Sequence, residues 1–384
     1  MKKVPKLRFK EFSDEWEEIK EDIKILSGNA YPLESYNSEG ILLVQGLNIY
    51  PGKLIIENPI YIAKNFNNFK HINIKNGDIL LGLNRPIINN ELKVCLFEND
   101  KAYLYQRAGI LHFNKNNINS KFIYQYLRSE SFKRKLEKEL VGSDQPYIKS
   151  DLFKIIKIYS GKYFEQEKIA NFLSSIDKKI SLTEEKLELF REYKKGVMQK
   201  IFSQELRFKD NEGNDYPEWE EKRLGDILIV TTSNISQNNL DENVGVYTIY
   251  GANGKIKNID FYEKEKEYIG IVKDGAGVGR TFYCEKKSSV LSTLNYLEIK
   301  ENNNLKFCYY VLKNIDFTKY IVGSSIPHIY FKDYKNEKIS LPILEEQEKI
   351  ANFLSSIDEK IEKIENELEN LKEFKKGLLQ QMFV

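Results

Sequence analysis

The chain contains the stretch Glu165-Gln-Glu-Lys-Ile-Ala-Asn-Phe-Leu-Ser-Ser-Ile-Asp177 and repeats it unchanged 181 residues later as Glu346-Gln-Glu-Lys-Ile-Ala-Asn-Phe-Leu-Ser-Ser-Ile-Asp358. The alignment extends without a gap from residues 165–202 to residues 346–383, and 24 of these 38 positions are identical. Solenoid repeats have periods of roughly 20–50 residues, so a period this long indicates two copies of a whole folded unit. We therefore predict that each copy consists of a variable domain followed by a nearly constant helix.

Both copies of the constant segment carry apolar residues at the a and d positions of a heptad over about five repeats, which is typical of a coiled-coil helix. No proline interrupts either copy. Lys194 and Lys375 occupy equivalent seam positions. Either they set the register at a cost in stability, or their charged ends reach past the seam to solvent. The predicted seam comprises Ile169, Leu173, Ile176, Ile180, Leu187 and Phe190 in the first copy and Ile350, Leu354, Ile357, Ile361, Leu368 and Leu371 in the second.

A helix this long, with an apolar seam on one side, needs a partner. At 1.5 Å per residue its length is about 57 Å. We predict that the partner is the second copy of the same helix, packed antiparallel, so that the chain has pseudo-two-fold symmetry. An ordinary pair of core helices and pairing with another chain are the alternatives.

Charge and composition limit the class of protein. The chain has 384 residues, with 59 Lys and Arg against 57 Asp and Glu, so its net charge of +2 does not by itself indicate nucleic-acid binding. The basic excess lies in residues 1–160, which favours polyanion binding by that part. Cys95, Cys284 and Cys308 lack the spacing of a zinc site and favour a reducing compartment. The cysteine spacing therefore predicts a protein without a bound metal. Because no apolar signal core and no bilayer-length apolar run is present, we also predict that it is cytoplasmic.

The duplication extends beyond the helices. A Gly-Ser loop, Gly142–Ile148, shares Gly-Ser-x-x-Pro-x-Ile with a second Gly-Ser loop, Gly323–Ile329. A Leu-Arg-Phe-Lys segment followed by Trp-Glu-Glu opens both copies, at Leu7 and at Leu206. Between these landmarks the copies barely align, which indicates two similar folds with different contacts. We divide the chain into a first variable domain (1–160), a first helix (161–202), a second variable domain (203–340) and a second helix (341–384).

The interiors of the variable domains contain short β-prone runs separated by Asn, Gly and Pro. We therefore predict an α/β fold of the mixed α+β kind, with two β-rich domains joined by the two long helices. One helix is predicted at Phe122–Leu140 and another beginning at Phe307–Leu312. The predicted strands are Ile41–Val44, Ile55–Tyr61, Asp78–Leu83, Lys93–Phe97 and Gly109–Phe113 in the first copy, and Val246–Tyr250, Tyr268–Val272, Thr281–Cys284 and Leu294–Ile299 in the second.

No motif for catalysis or cofactor binding stands out. The glycines of Gly275–Gly279 lack the spacing of a dinucleotide or Walker A loop, and a tight hairpin that presents Lys273 and Arg280 is the better interpretation. Asn58-Pro-Ile-Tyr61 is one proline short of the Asn-Pro-Pro-Tyr of amino-methyltransferases, and no glycine-rich cofactor loop accompanies it. No paired carboxylates or Ser-His-Asp arrangement can be recognised. We therefore predict a chain without a catalytic site.

The order of variable domain, long helix, second variable domain and second long helix resembles the specificity (S) subunit of a Type I restriction–modification system, over essentially the whole chain. Leu341-Pro-Ile-Leu-Glu-Glu-Gln347 is similar to the family's Leu-Pro-Pro-Leu-x-Glu-Gln approach to its conserved helix, whereas Ser160–Gln166 in the first copy lacks the prolines. Tyr250–Gly254 and Gly275–Gly279 are also similar to the second recognition domain of many members.

The resemblance implies that each variable domain is a target recognition domain for one half of a split double-stranded DNA site. It implies that the helix pair sets the gap between the half-sites and docks two modification (methyltransferase) subunits, which bring S-adenosylmethionine and methylate adenine. Restriction subunits would add ATP- and Mg-dependent translocation and cleavage, and no cofactor is expected on this chain. Independently, two readers on one face of B-DNA should lie about one turn apart, roughly 34 Å, which a helix pair can bridge. Divergent domains predict an asymmetric site.

Candidate DNA contacts follow from residue type, because Arg pairs with guanine, Asn or Gln pairs with adenine, and Lys holds phosphates. The alternative for each candidate is a solvated loop residue. Two rival classes are a dumbbell scaffold that binds proteins, which a salt-dependent DNA affinity would exclude, and a single-chain modification enzyme, which S-adenosylmethionine binding would support. The predicted contacts are Lys64, Lys70, Asn84, Arg85, Gln106, Arg107, Gln145 and Tyr147 in the first domain, and Asn253, Lys255, Lys257, Lys273, Arg280 and His328 in the second.

Overall fold

A computed structural model describes residues 3–20, 23–64, 66, 70–300 and 302–384, with the side chain of residue 239 excepted. The chain forms two compact units, one made of Met1–Glu184 with Asn366–Val384 and the other of Glu185–Glu365. The boundary between the units therefore falls inside both long helices. Among the described residues, no helix combines the length and the apolar character needed to cross a bilayer.

The first unit is rich in short strands. Its helices are α1 (Ser120–Leu127), α2 (Glu130–Glu139), α3 (Leu152–Ile155) and the first part of α4 (Tyr163–Phe202). Its strands are β1 (Glu17–Glu18), β2 (Lys24–Ser27), β3 (Tyr36–Asn37), β4 (Ile41–Val44), β5 (Ile49–Tyr50), β6 (Lys53–Leu54), β7 (Tyr61–Ile62), β8 (Asn73–Lys75), β9 (Ile79–Gly82), β10 (Ile87–Ile88), β11 (Glu91–Leu92), β12 (Val94–Leu96), β13 (Lys101–Leu104), β14 (Ala108–His112) and β15 (Tyr159–Ser160).

Two sheets organise the first unit. One has the order β12-β9-β14-β2 and is antiparallel, and the other has the order β3-β7-β4-β13-β8 with β4 and β13 parallel. Strand β9 is buried along its whole length, and its side chains alternate between two cores because successive strand residues point to opposite faces. Leu80 joins the core that contains β4 and β13, whereas Ile79 and Leu81 join the core formed with α1 and α4.

The second unit repeats this plan. Its sheets have the orders β17-β23-β20-β21 and β19-β18-β22, and β18 runs parallel to β22 as β4 does to β13. Its helices are α5 (Leu224–Ile227), α6 (Leu305–Asn314), α7 (Phe331–Tyr334) and the first part of α8 (Leu344–Gln381). Its strands are β16 (Glu220–Arg223), β17 (Leu228–Thr232), β18 (Tyr247–Gly251), β19 (Gly254–Ile259), β20 (Tyr268–Val272), β21 (Thr281–Cys284), β22 (Ser289–Val290), β23 (Leu294–Ile299) and β24 (Lys338–Leu341). The predicted mixed α+β fold, with two β-rich domains and two long helices, is confirmed.

Two sequence predictions about single elements are wrong. The predicted helix at Phe122–Leu140 is two helices, because the Ser129 hydroxyl accepts a hydrogen bond from the Phe132 amide at 3.2 Å and starts α2 as its N-cap. The predicted strand Ile55–Tyr61 survives only as β7, Tyr61–Ile62. Pro59 has no amide hydrogen to donate to a sheet ladder, so a strand through it is disfavoured.

The long helices run antiparallel within each unit. In the first unit, α4 residues Asp177 and Glu184 pair with Lys375 and Lys372 of α8, so numbers rise along one helix as they fall along the other. In the second unit, Arg191 and Lys194 of α4 pair with α8 in the same sense, through Glu365 and Asp358. Of the predicted seam, Ile169, Leu173, Ile176, Leu187, Ile350, Leu354 and Ile357 are buried, and Ile180, Phe190, Ile361, Leu368 and Leu371 are half-buried.

The seam lysines have a shared explanation in these pairs. Lys375 binds Asp177, and Lys194 binds Asp358, so each lysine meets the last residue of the repeated motif on the opposite helix. The interpretation that these lysines reach past the seam to solvent is wrong for Lys375, which is only 4% exposed. Burial, and then the charge of Arg128, lower the pKa of Lys375 to about 8, while Asp177 acts in the opposite direction.

Each long helix begins with a buried glutamate that anchors the opening segment of its own unit. Glu165 accepts two hydrogen bonds from Arg8, at 2.7 and 2.8 Å, and one from the Trp16 indole at 3.2 Å. Glu346 accepts the same set from Arg207 and from Trp219. In each copy the repeated Arg neutralises a buried carboxylate in the first turn of the helix, and the repeated Trp donates a hydrogen bond to it. Negative charge at this end of a helix is also favoured by the helix dipole.

Candidate nucleic-acid interface

An open groove of about 600 Å³ lies on the first unit. Asn84 follows β9, Gln106 and Arg107 form the turn before β14, and Tyr147 belongs to the first Gly-Ser loop, so three separate segments supply four of the predicted contact residues to one surface. The remaining lining residues are Ile25, Ser27, Leu83, Ile148, Lys149, Ser150 and Asp151.

Backbone hydrogen bonds hold these segments in place. Tyr147 bridges to Val141 within its own loop and to Asn84 across the groove. The Arg85 amide donates to the Pro146 carbonyl at 2.7 Å, and the Ile148 amide donates to Leu83 at 2.9 Å. The loop turns at Gly142, whose φ is +95° and whose added Cβ would lie 3.0 Å from the Gln145 carbonyl oxygen, so a side chain there is disfavoured. The groove is therefore shaped by main chain, which leaves its side chains free to vary.

The two predicted arginines beside this groove share an unusual backbone. Arg85 has a φ of +43° and Arg107 a φ of +66°, in the left-handed region that residues other than glycine seldom adopt. Both side chains are exposed, and neither guanidinium has a hydrogen-bond or ion-pair partner among the residues that the structure describes. Arg8 and Arg128, by contrast, are bound to carboxylates. Arg107, which lines the groove, and Arg85, which follows the lining residue Asn84, thus each present a guanidinium that no described carboxylate binds.

The other predictions for the first domain lie elsewhere. Gln145 is exposed at the tip of the Gly-Ser loop, and Lys64 and Lys70 are exposed between β7 and β8, outside the residues that line the groove. Sequence reasoning missed Lys149, which lines the groove two residues after Tyr147. The signal was present, because a lysine that alternates with an aromatic residue after a glycine turn presents both to one side of an extended segment.

The second Gly-Ser loop is held in the same way. His328 bridges to Val322 within the loop and to Asp274 across from it, and its ring Nδ1 lies 2.7 Å from the Asp274 carboxylate. The Gly275 amide donates to Pro327 at 2.9 Å, and Ile329 donates to the carbonyl of Lys273 at 2.9 Å. His328 also stacks on Tyr330, with ring centroids 6.3 Å apart. Lys273, Asp274 and His328 are thus brought together.

A neighbouring hairpin contributes the other predicted residues of this domain. The predicted hairpin between β20 and β21 is present, but its connection of residues 273–280 is longer than a tight turn. It is closed by Val272 and Arg280, and the Arg280 guanidinium donates to the Asn253 side chain at 2.9 Å. Lys255 is engaged by Glu285 at 3.0 Å, and Lys257 donates to the Leu240 carbonyl at 2.5 Å. Arg280 and Asn253 are therefore placed together at an exposed edge, whereas the two lysines already have protein partners.

The two loop sites are built on equivalent backbone but carry different side chains. Leu83 donates to the carbonyl of Arg107, and Lys273 donates to the carbonyl of Thr293, each at 2.9 Å. Residues Leu83, Asn84, Arg85, Arg107 and Tyr147 of the first unit thus correspond to Lys273, Asp274, Gly275, Thr293 and His328 of the second. Tyr147 and His328 are paired at the same offset of 181 residues as the helices, but the other four pairs need offsets of 190 or 186, so the sequence repeat did not reveal them.

The cysteines are remote from both sites. Cys95, Cys284 and Cys308 are free and buried, and burial raises the pKa of each thiol to about 12, so all three are protonated at neutral pH. In the part of the chain that the structure describes, no group of three or more His, Cys, Asp or Glu side chains is arranged to hold a metal ion.

Two similar α+β units, each with its own Gly-Ser loop site, and two long helices that repeat one sequence define a duplicated two-domain protein. The sequence model of the family described as Type I restriction modification DNA specificity domain matches residues 14–189 and 216–373. The chain belongs to this family. The resemblance noted in the sequence is thereby confirmed, and so is the prediction of a non-catalytic specificity subunit.

Individual relatives agree with this membership. The chain is 32% identical over 214 residues to the Type I restriction enzyme MjaVIII specificity subunit of Methanocaldococcus jannaschii, a match that covers 54% of this chain and 50% of that protein. It is 29% identical over 334 residues to the putative MjaX specificity subunit of the same organism, covering 79% and 76%. The chain thus aligns with half the length of the first relative. The crystal structure of the Type-I restriction-modification system S subunit from M. genitalium matches with a TM-score of 0.69 over 99% of both chains at 19% identity, which shows the same fold.

Proposed function

We propose that this chain is the sequence-specific DNA-binding subunit of a Type I restriction–modification complex, and that each recognition domain reads one half of a bipartite, asymmetric site. Residues 1–160 and 203–340 are the two recognition domains in this proposal. The observation that carries it is the pair of equivalent loop sites with different side chains, such as Tyr147 against His328 and Arg85 against Gly275. Two loops with equivalent backbone but different side chains can contact two half-sites of different sequence, because side chains contact the base edges.

The helices, residues 161–202 and 341–384, set the spacer between the half-sites in this proposal. Helix α4 has 40 residues and α8 has 38, so each is about 60 Å long at 1.5 Å per residue. That length exceeds the roughly 34 Å of one turn of B-DNA, and the antiparallel pairing within each unit gives the helices a defined register.

The same helices dock two modification subunits. Tyr193 and Phe374 are equivalent residues of the two helix copies, and they are 52% and 56% exposed although both are large and aromatic. One lies in each unit, so the chain offers the same exposed aromatic twice. Repetition of one contact favours two copies of a single partner, and exposed aromatics are frequent anchors of protein interfaces.

The chemistry is assigned to the partners. The modification subunits supply S-adenosylmethionine and methylate adenine, and restriction subunits with ATP and Mg translocate and cleave DNA. The complex acts in the cytoplasm, where DNA is accessible in a prokaryotic cell. This chain contributes recognition and assembly.

The proposal is tested by mapping methylated adenines across a genome in cells that co-express this chain with its modification subunit. One split, asymmetric motif that appears only with this chain is the expected result, and it gives both half-sites and the spacer. A stable complex that produces no motif, or a palindromic one, would contradict the proposal.

A further inference from the structure

The first recognition domain contains a strained arginine where the second contains a glycine. Arg85 and Gly275 occupy the same place in their domains, since each donates its amide to the proline carbonyl of its Gly-Ser loop, at 2.7 and 2.9 Å. Both have positive φ, +43° for Arg85 and +90° for Gly275. The inference drawn from this difference rests on the proposed function, because it names what one of the two loop sites recognises.

Glycine is the residue that this backbone favours, because a side chain in the left-handed region clashes with the main chain. Arg85 gains nothing from the fold in return, since its side chain is exposed and has no partner among the described residues. Strained residues that the fold does not need are concentrated at functional sites. The guanidinium is therefore retained for a partner outside the chain.

Arg107, which lines the groove, repeats the pattern. It is the third residue of the turn Tyr105–Ala108, closed by the Ala108 amide donating to Tyr105 at 3.3 Å, and its φ is +66°. Glycine or asparagine is favoured at that position when φ is positive. The equivalent turn of the second domain, Leu291–Leu294, has Thr293 there without a positive φ. Two arginines at left-handed positions thus belong to the first domain alone.

We propose that Arg85 and Arg107 are the specificity-determining pair of the first domain, and that they read guanine in its half-site through hydrogen bonds to O6 and N7. The guanidinium fork fits these two acceptors, and this is the commonest specific contact in the major groove. Each arginine follows an amide side chain, Asn84 before Arg85 and Gln106 before Arg107, and amides read base edges. The second domain has Gly275 and Thr293 at the equivalent positions and therefore lacks this pair of guanidinium groups.

The experiment uses the complex of the full chain with its modification subunits. Competition binding is measured on the cognate duplex and on duplexes in which 7-deazaguanine, which lacks the N7 acceptor, replaces each guanine in turn. Tyr147→Ala first identifies the half-site that belongs to the first domain. Arg85→Gly and Arg107→Gly remove the guanidinium but keep the backbone, and Asn89→Gly is the matched control, because Asn89 has a φ of +49° in the same domain and carries no guanidinium.

The wild type is expected to lose roughly 5- to 150-fold in affinity when 7-deazaguanine replaces a contacted guanine. Each arginine-to-glycine variant should show at least that loss on the cognate duplex and no further loss with 7-deazaguanine at the guanine that its own arginine contacts, while substitutions in the other half-site keep their full effect. Their thermal midpoints should equal or exceed that of the wild type, since glycine relieves the strain. A role confined to the fold would lower the midpoint instead.

Lysine variants separate base reading from phosphate binding. Arg85→Lys and Arg107→Lys keep the charge but lose the fork, so they should retain salt-dependent affinity and lose guanine discrimination. The proposal is overturned if lysine restores discrimination, if the glycine variants discriminate like the wild type, if both half-sites weaken equally, or if the first half-site contains no guanine. A wild-type complex without any sequence preference would instead refute the proposed function itself.

Discussion

Replacing Asp177 by Asn should lower the free energy of unfolding of the first unit by about 3–4 kcal/mol. The Asp177 carboxylate accepts hydrogen bonds from Arg128 at 3.0 Å and from Gln125 at 2.7 Å, and it pairs with the ammonium of Lys375. The Lys375 side chain is only 5% exposed, so water cannot replace the lost partner. Because Asn has nearly the same shape as Asp, the substitution leaves the packing unchanged but removes the charge and turns one of the two acceptor oxygens into an NH2 donor.

The magnitude of this loss is limited because Lys375 can release its proton when its carboxylate partner is removed. Burial and Arg128 have lowered its pKa from 10.5 to about 8, which at about 1.36 kcal/mol per pKa unit is a cost of about 3 kcal/mol in the wild type. Without Asp177 the pKa of Lys375 falls further. Once it passes 7 the amine releases its proton, which limits the added cost at neutral pH to about 1 kcal/mol. Arg128 cannot lose its proton, and its broken charged hydrogen bond adds roughly 1.5–3 kcal/mol.

Asp358→Asn in the second unit is the matched control. Asp358 pairs with Lys194, whose side chain is 20% exposed, and accepts a hydrogen bond from the Tyr310 hydroxyl at 2.7 Å. Because more water can reach Lys194, Asp358→Asn should lower the free energy of unfolding by only about 1–2 kcal/mol. Urea unfolding followed by circular dichroism gives the total loss, and hydrogen exchange of residues 366–381 and 344–365 assigns it to a unit.

The pH dependence provides an independent check. Since the folded pKa of Lys375 lies below its unfolded value, the unfolded chain binds more protons between about pH 8 and 10.5. The destabilising cost of this group is therefore relieved across that window, and stability rises with pH. In Asp177→Asn the rise in stability with pH should begin at lower pH. Of the charges that shift the pKa of Lys375, Arg128, which lowers it, and Glu91, which raises it more weakly, then remain. Burial works to raise the pKa of Asp177, but Arg128 and Lys375 outweigh it and hold that pKa below 3.8, so the wild-type advantage should vanish in strong acid. Equal losses for the two Asn variants, or difference curves without these shifts, would refute the reasoning.

Three further predictions concern the helices. Arg207→Met leaves the fully buried carboxylate of Glu346 without its cation and should lower the free energy of unfolding by about 3–5 kcal/mol in a urea titration. The control is Arg134→Met, in an exposed pair within α2, which should change the same free energy by less than about 0.5 kcal/mol. Tyr193→Glu and Phe374→Glu should each reduce the modification subunits bound from two to one, and together to none, by native mass spectrometry; a single variant that abolishes both would contradict two independent docking sites. Seven residues inserted at the middle of both α4 and α8 should lengthen the pair by about 10.5 Å and widen the spacer by about 3 base pairs with unchanged half-sites. An unchanged spacer in the methylation map would exclude the helices as its determinant.

The helices and most strands could be predicted from the sequence because their signals are local. A heptad seam repeats every few residues, and Ile41–Val44, Tyr268–Val272, Thr281–Cys284 and Leu294–Ile299 form strands with the predicted bounds. Where a side chain competes with the backbone, as Ser129 does between α1 and α2, the same local reasoning failed. The pattern of apolar residues there continues through the break, since both helices pack on one core.

The candidate site was predictable only as a collection of residue types. Arginine, asparagine and glutamine in glycine-rich loops indicated base contacts, yet Asn84, Arg107 and Tyr147 are far apart in the chain, and only the sheet order and the Gly-Ser loop bring them to one groove. Lys64 and Lys70 have equally suitable chemistry but lie outside it. Solvent-exposed loops carry no periodic pattern, so their neighbours are decided by the strands beneath them.

By itself the sequence determined the duplication, the class of fold and the family, because identity at a constant offset and a heptad seam need no knowledge of contacts. The partners of Lys194 and Lys375, the neutralisation of Glu165 and Glu346, and the equivalence of Arg85 with Gly275 were decided only by the tertiary structure. These facts depend on which distant side chains meet and on which backbone angles result, and electrostatics and strain act through space rather than along the chain.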